Sequence, residues 1–132
     1  MQPLDSPLFA GCSRRERQLI DQLGTVITAA ADRTLVEEGR IGREFLVVLS
    51  GEVIVRRHDT ELARLVPGEW LGELALLDPS HRRNASAVTT ERSSVLVLGQ
   101  AEFERLCRDV PRVGQRLRAT ALERTTTTLP PS

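Results

Sequence analysis

The chain contains no lysine and no tyrosine, and its aromatic complement is three phenylalanines and one tryptophan. Its basic side chains, the two histidines apart, are therefore all arginine, which we read as the codon bias of a GC-rich bacterial genome and not as a functional signal. The formal net charge is zero, with 18 basic and 18 acidic residues scattered along the sequence. No basic stripe is present to follow a nucleic-acid backbone, which argues against direct nucleic-acid binding. Two cysteines, Cys12 and Cys107, stand in neither metal nor redox spacing and read as small buried thiols in a reducing compartment. The opening Met1-Gln2-Pro3-Leu4-Asp5 has no basic or apolar region of a secretion signal, and no apolar run approaches the length of a membrane span. A cytoplasmic protein without membrane contact is the expectation. His58 and His81 sit on polar turns, too far apart to supply a histidine-based metal centre, and Ser80 and Ser86 have no base at a meaningful spacing. No catalytic residues, no metal and no enzyme activity are therefore expected.

What is present has two textures. Ser13 followed by Glu16 makes a capping box, and Leu19, Ile20 and Leu23 form one apolar stripe that Gly24 ends, so a helix is expected over about 13–23. From there to Gly99 the sequence changes to short β-prone runs: Val26-Ile27, Thr34 to Val36, Phe45 to Leu49, Val53 to Val55, Leu62 to Val66, Ala85 to Thr89 and Val95 to Leu98. Turn signals at Glu38-Gly39, Ser50-Gly51, His58-Asp59 and Pro67-Gly68 separate them. Helical pattern returns with Phe103 and Leu106, breaks before Pro111, and resumes to about Arg124 with Val113, Leu117 and Ala121 on one face. The fold class is mainly β with flanking helices, a sandwich or barrel carrying one N-terminal and two C-terminal helices. At 132 residues it is a single domain, 1–132, with a core over about 7–124 and a flexible tail at 125–132.

The segment Gly72-Glu73-Leu74-Ala75-Leu76-Leu77, followed by Arg83-Asn84-Ala85-Ser86, concentrates the chemistry. Gly72 allows close backbone approach to a ligand, and Leu74 to Leu77 favour a short helical turn whose leading amides attract an anion. Arg83 can clamp the same anion with a charge-assisted hydrogen bond. Glu73 would repel a phosphate, so it makes sense only if the ligand also offers a donor such as a ribose hydroxyl. An anion with a hydroxyl reads as a nucleotide. Taken alone, the six apolar-rich residues would suit the start of any core helix, and Arg82-Arg83 a solvated loop; the spacing of Glu73 and Arg83 distinguishes them.

These residues resemble the phosphate-binding cassette of the cyclic nucleotide-binding domain family, as in bacterial catabolite activator proteins and protein kinase A regulatory subunits. Ser50-Gly51-Glu52-Val53 and Pro67-Gly68-Glu69-Trp70 resemble two further family turns in the right order, and the likeness covers about 7–124. The resemblance implies a jelly-roll β-barrel that binds cyclic AMP, or cyclic GMP, through Gly72, Glu73, Leu74, Ala75, Arg83 and Asn84. Arg83 and the amides of Leu74 and Ala75 would take the phosphate and Glu73 the ribose 2′-hydroxyl. Arg82 competes with Arg83 for the clamp; the small residues that follow favour Arg83. Val55 and Leu65 are candidate contacts to the base, and the family register brings Arg124 and Thr128 near it as a lid.

Relatives that are transcription factors continue into a DNA-binding domain, whereas this sequence ends in Thr125 to Thr128 and Leu129-Pro130-Pro131-Ser132. The expectation is a stand-alone regulatory or sensor domain that passes its signal to an unidentified effector protein or pairs as a homodimer through the last helix, by Val113, Leu117 and Ala121. The tail from Thr125 would then order on ligand binding or pairing, since β-branched residues before a proline are poor helix material. The alternative is a barrel without nucleotide affinity that serves as a protein-interaction or dimerisation module, which His81 and Asn84 favour.

Overall fold

The computed structural model describes residues 6–40, 44–76, 83 and 85–126, with 75, 76 and 124–126 described in their backbone alone. A 3-10 turn, Pro7–Phe9, precedes helix α1, Arg14–Leu23. The capping box forms as the sequence predicts: the Ser13 amide donates to Glu16 Oε1 at 2.8 Å and the Glu16 amide to Ser13 Oγ at 3.1 Å. Both bonds satisfy donors that a helix start leaves open. Eight strands follow, β1 (Thr25–Ala29), β2 (Thr34–Val36), β3 (Phe45–Ser50), β4 (Val53–Arg57), β5 (Thr60–Leu65), β6 (Trp70–Leu71), β7 (Ser86–Thr89) and β8 (Ser93–Leu98), with a second 3-10 turn, Glu73–Leu76, after β6. Helices α2, Gln100–Asp109, and α3, Pro111–Thr126, close the order. At the β4–β5 turn His58 takes a φ of 53°, a left-handed value that histidine tolerates better than most residues.

The strands make two antiparallel four-stranded sheets, β1-β8-β3-β6 and β2-β7-β4-β5, the jelly-roll arrangement. Alternation along each strand divides the apolar side chains between two cores. Leu46 and Val48 of β3 join Val53, Val55, Leu65, Leu71 and Val95 in the interior between the sheets. Phe45, Val47 and Leu49 point to the other side, where they meet Leu8, Phe9, Ile20, Phe103, Leu106 and Leu117 from the helices and the first 3-10 turn. A strand buried on both faces needs an unbroken apolar run, and that is why Phe45 to Leu49 shows no polar alternation. The Phe45 and Phe103 rings pack with centroids 4.9 Å apart, fixing α2 on the sheet.

Side-chain hydrogen bonds then hold the N-terminal segment to its surroundings. Arg116 Nη1 donates to the carbonyls of Leu8 at 2.9 Å and Ala10 at 2.7 Å, and Arg112 donates to that of Gly11. Ser6 Oγ donates to the Gly68 carbonyl at 2.7 Å, beside the entry to β6. Helix α3 packs at once on α2, on the first 3-10 turn and on the second. Cys12 is buried and Cys107 partly so, and burial pushes the Cys107 thiol up to about 11, which leaves it protonated at neutral pH.

Two expectations change here. Val113, Leu117 and Ala121 are fully buried within the chain's own fold, so they are not available to pair with a second copy; one apolar stripe covers one surface. The helix also runs two residues past Arg124, to Thr126, because the helical penalty of each threonine is only tenths of a kcal/mol. Residues 127–132 lie outside the described residues. Leu117→Ala should lower the stability measured by denaturant unfolding by ~2–5 kcal/mol, as truncation of a close-packed core residue does. Leu122→Ala, at a position 54% exposed, should change it by less than about 0.5 kcal/mol. Equal effects would contradict this orientation of α3.

Candidate functional site

The ladder between β3 and β6 pairs Leu46 with Leu71 and Val47 with Trp70, so the next residue, Gly72, arrives beside Glu44 and Phe45. Gly72 has a φ of +106°, and a Cβ there would stand 2.5 Å from the Glu44 carbonyl oxygen, 3.1 Å from Phe45 Cα and 3.3 Å from Arg83 Nη1. The glycine is thus demanded by the chain itself, both by backbone conformation and by the closeness of β3 and of the arginine. These contacts within the chain require glycine in addition to any close approach of a ligand. Gly72 turns the chain into the 3-10 turn Glu73–Leu76, which is too short to satisfy its own leading amides. Ala75 lies in this turn by its backbone, and Leu74 is buried.

Arg83 is brought to the same place from the other sheet. Its amide donates to the Arg40 carbonyl at 2.6 Å, and its carbonyl accepts from the Gly39 amide at 2.7 Å. Farther along, the Glu38 amide donates to Ser86 Oγ at 2.9 Å, so residues 38–40 run beside Arg83 and Ser86 as an extension of the β2–β7 pairing. The Arg83 side chain reaches across to the residue before β3, where Nη2 donates to the Glu44 carbonyl at 2.5 Å. Only 4% of Arg83 is exposed and Glu73 is fully buried. Burial pushes the Arg83 pKa down, while the charges of Glu44 and Glu73 hold it up. An arginine side chain keeps its proton under such opposing shifts, so the site presents a buried positive charge with a buried carboxylate beside it.

An open cleft of about 430 Å³ lies against Arg83, lined also by Leu35, Val36, Glu37, Arg40 and Glu44. That volume falls within the roughly 300–1,000 Å³ of small-molecule sites. Val36 continues inward to the core cluster that contains Val55 and Leu65. Val55 and Leu65 are therefore interior residues behind the cleft wall and not among those that line it. Gly72 and Glu73 stand beside Arg83, with Leu74 and Ala75 following in the same turn; of these residues the cleft lining includes Arg83. Asn84, Arg82, His81 and Thr128 lie outside the described residues, and of Arg124 the backbone alone is described, on the last turn of α3. The segment 37–40 escapes the sequence reading except as a turn at Glu38-Gly39, because its service to Arg83 is a long-range backbone pairing without a side-chain signature. Among the described residues no group of three metal-ligating side chains comes together, and no helix is long and apolar enough to cross a membrane.

Comparison with known proteins gives this geometry a family. The chain is 30% identical over 102 residues to the Pycsar effector protein XpPycTIR of Xanthomonas perforans, a match covering 77% of this chain and 34% of that protein. It is 33% identical to the cyclic AMP receptor protein of Thermus thermophilus, over 90% of this chain and 57% of that protein. The crystal structure of the Thermus thermophilus catabolite activator protein superposes with a TM-score of 0.80 at 32% identity, covering 92% of this chain and 59% of that one. The chain thus spans about a third to just over half of the length of these relatives. The family model for the cyclic nucleotide-binding domain matches residues 26–110, which include both sheets' shared interior, the turn after Gly72 and Arg83. This chain belongs to the cyclic nucleotide-binding domain family.

Proposed function

We propose that the chain is a regulatory sensor of 3′,5′-cyclic AMP, with cyclic GMP as the nearest competing ligand. One observation carries the reading: the buried Arg83 guanidinium lines an open cleft, and the buried Glu73 carboxylate is near enough for its charge to act on it. Burying two charges costs several kcal/mol of desolvation, and a ligand that offers an anion to one and a hydroxyl donor to the other compensates both. In this reading Arg83 and the amides of Leu74 and Ala75 hold the cyclic phosphodiester, and Glu73 accepts from the ribose 2′-hydroxyl. The base extends toward Leu35 and Val36 and the core residues Val55 and Leu65 behind them. Arg124 and Thr128 close over it, and Asn84 adds a donor to the phosphate. The similarity to a cyclic AMP receptor protein supports the choice of ligand. Signalling then passes to an effector protein or to a domain in the same protein; the cytoplasm is the compartment that fits a site for an intracellular messenger.

A second reading has one observation in its favour. The Arg83 Nη2 group already donates to the Glu44 carbonyl, as a purely architectural arginine would. The domain would then be an interaction module without nucleotide affinity.

Calorimetric titration decides between them. The chain should bind 3′,5′-cyclic AMP at one site, and Arg83→Ala should weaken binding by ~2–5 kcal/mol, the usual effect of removing one partner of a buried charge pair. That corresponds to roughly 30-fold to several-thousand-fold in affinity. Absence of binding by the unsubstituted chain selects the second reading. Trp70, two residues before Gly72 and packed under the helices, provides an independent signal. Its emission should shift with cyclic AMP and remain unchanged with linear 5′-AMP, whose extra charge and free 3′-hydroxyl mismatch the site. Equal responses would identify a generic anion pocket instead.

A further inference from the structure

A second arginine faces the cleft that holds Arg83, and nothing in the family motif uses it. Arg40 lines the same cleft, and the pair of backbone hydrogen bonds between 39–40 and Arg83 fixes its Cα beside that of the clamp residue. Its side chain is 78% exposed and forms an ion pair with Glu37, three residues earlier on the same turn, at 3.0 Å. An exposed pair of two long side chains contributes little to folding, since solvent screens it and holding its geometry costs side-chain entropy. Exchange of one anionic partner for another is therefore easy at Arg40. At Arg83 it is not, because that guanidinium is buried and tied to the residue before β3.

We propose that Arg40 leaves Glu37 when the ligand enters and becomes a second cation for the cyclic phosphodiester, with Glu37 as its built-in competitor. The inference rests on the reading of this cleft as the nucleotide site and adds a specificity device to it: the ligand must outbid a carboxylate of the protein for one of its two cations. A neutral nucleoside gains nothing from Arg40. Attraction between Arg40 and the phosphodiester is partly solvent-exposed, so this part of the affinity falls with added salt.

The distinguishing signature is a pair of substitutions of opposite sign. In calorimetric titrations of the full chain with 3′,5′-cyclic AMP, Arg40→Ala should weaken binding by roughly two- to five-fold. Glu37→Gln should strengthen it by roughly two- to five-fold, because Arg40 no longer has to be released. The double substitution should bind like Arg40→Ala alone, since the competitor matters only while there is something to compete for. None of the three should move the thermal unfolding midpoint, both side chains being exposed. Wild-type affinity in both single variants would overturn the proposal, as would an equal gain from Glu37→Gln in the Arg40→Ala background, which would reveal simple long-range charge repulsion. If those results accompany a severe loss in Arg83→Ala, the nucleotide site stands and only the role of Arg40 falls. Failure of the unsubstituted chain to bind any cyclic nucleotide would remove both.

Discussion

The placement of one buried charge, that of Arg83, constrains most of what surrounds it. A guanidinium taken out of water must recover its solvation from fixed partners, or the fold would lose several kcal/mol. Here the Glu44 carbonyl and the carboxylates of Glu44 and Glu73 supply that compensation. Each belongs to a different stretch of chain from Arg83. Glu44 stands just before β3, and Glu73 opens the turn after β6, so both must be held in register for the charge to be tolerated. Gly72 is the point where that register is tightest, with the β3 backbone on one side and Arg83 on the other.

The rest of the molecule holds those stretches still. β3 and β8 contribute buried side chains both to the interior of the jelly roll and to the helical layer. β6 is only two residues long and depends on β3 for its position. Helix α3 packs against the turn that carries Glu73, and through Arg112 and Arg116 it also grips the N-terminal 3-10 turn. The element nearest the site on its helical side is thus the one with the longest reach through the fold.

Much of this was legible in the sequence where the signal is local. The capping box of Ser13 and Glu16, the unbroken apolar run of β3, the glycine turns and the break before Pro111 each depend on neighbours within a few residues, and the structure has all of them. The convergence of Gly72, Glu73 and Arg83 was legible because a contiguous motif carries it. What escaped is non-local. Two residues of β6 make no periodicity, and the pairing of Gly39 and Arg40 with Arg83 is a backbone interaction across 43 or more residues of sequence that no side chain announces. The apolar face of α3 was visible, but periodicity reports that a face is buried and not by what; its stripe of Val113, Leu117 and Ala121 is covered by the chain itself.

The central claim is that the buried Glu73 and Arg83 are two halves of one ligand site, one for a hydroxyl and one for an anion. A cycle that combines Glu73→Gln with removal of the ligand's 2′-hydroxyl tests it most directly. Affinities of the unsubstituted chain and of Glu73→Gln would be measured for 3′,5′-cyclic AMP and for its 2′-deoxy analogue. The account predicts that the unsubstituted chain discriminates strongly against the deoxy ligand and that the discrimination shrinks in Glu73→Gln, a coupling of about 1–3 kcal/mol as for hydrogen bonds to charged groups. Equal discrimination in both proteins would contradict it, leaving Glu73 a counter-ion of Arg83 with no part in recognition.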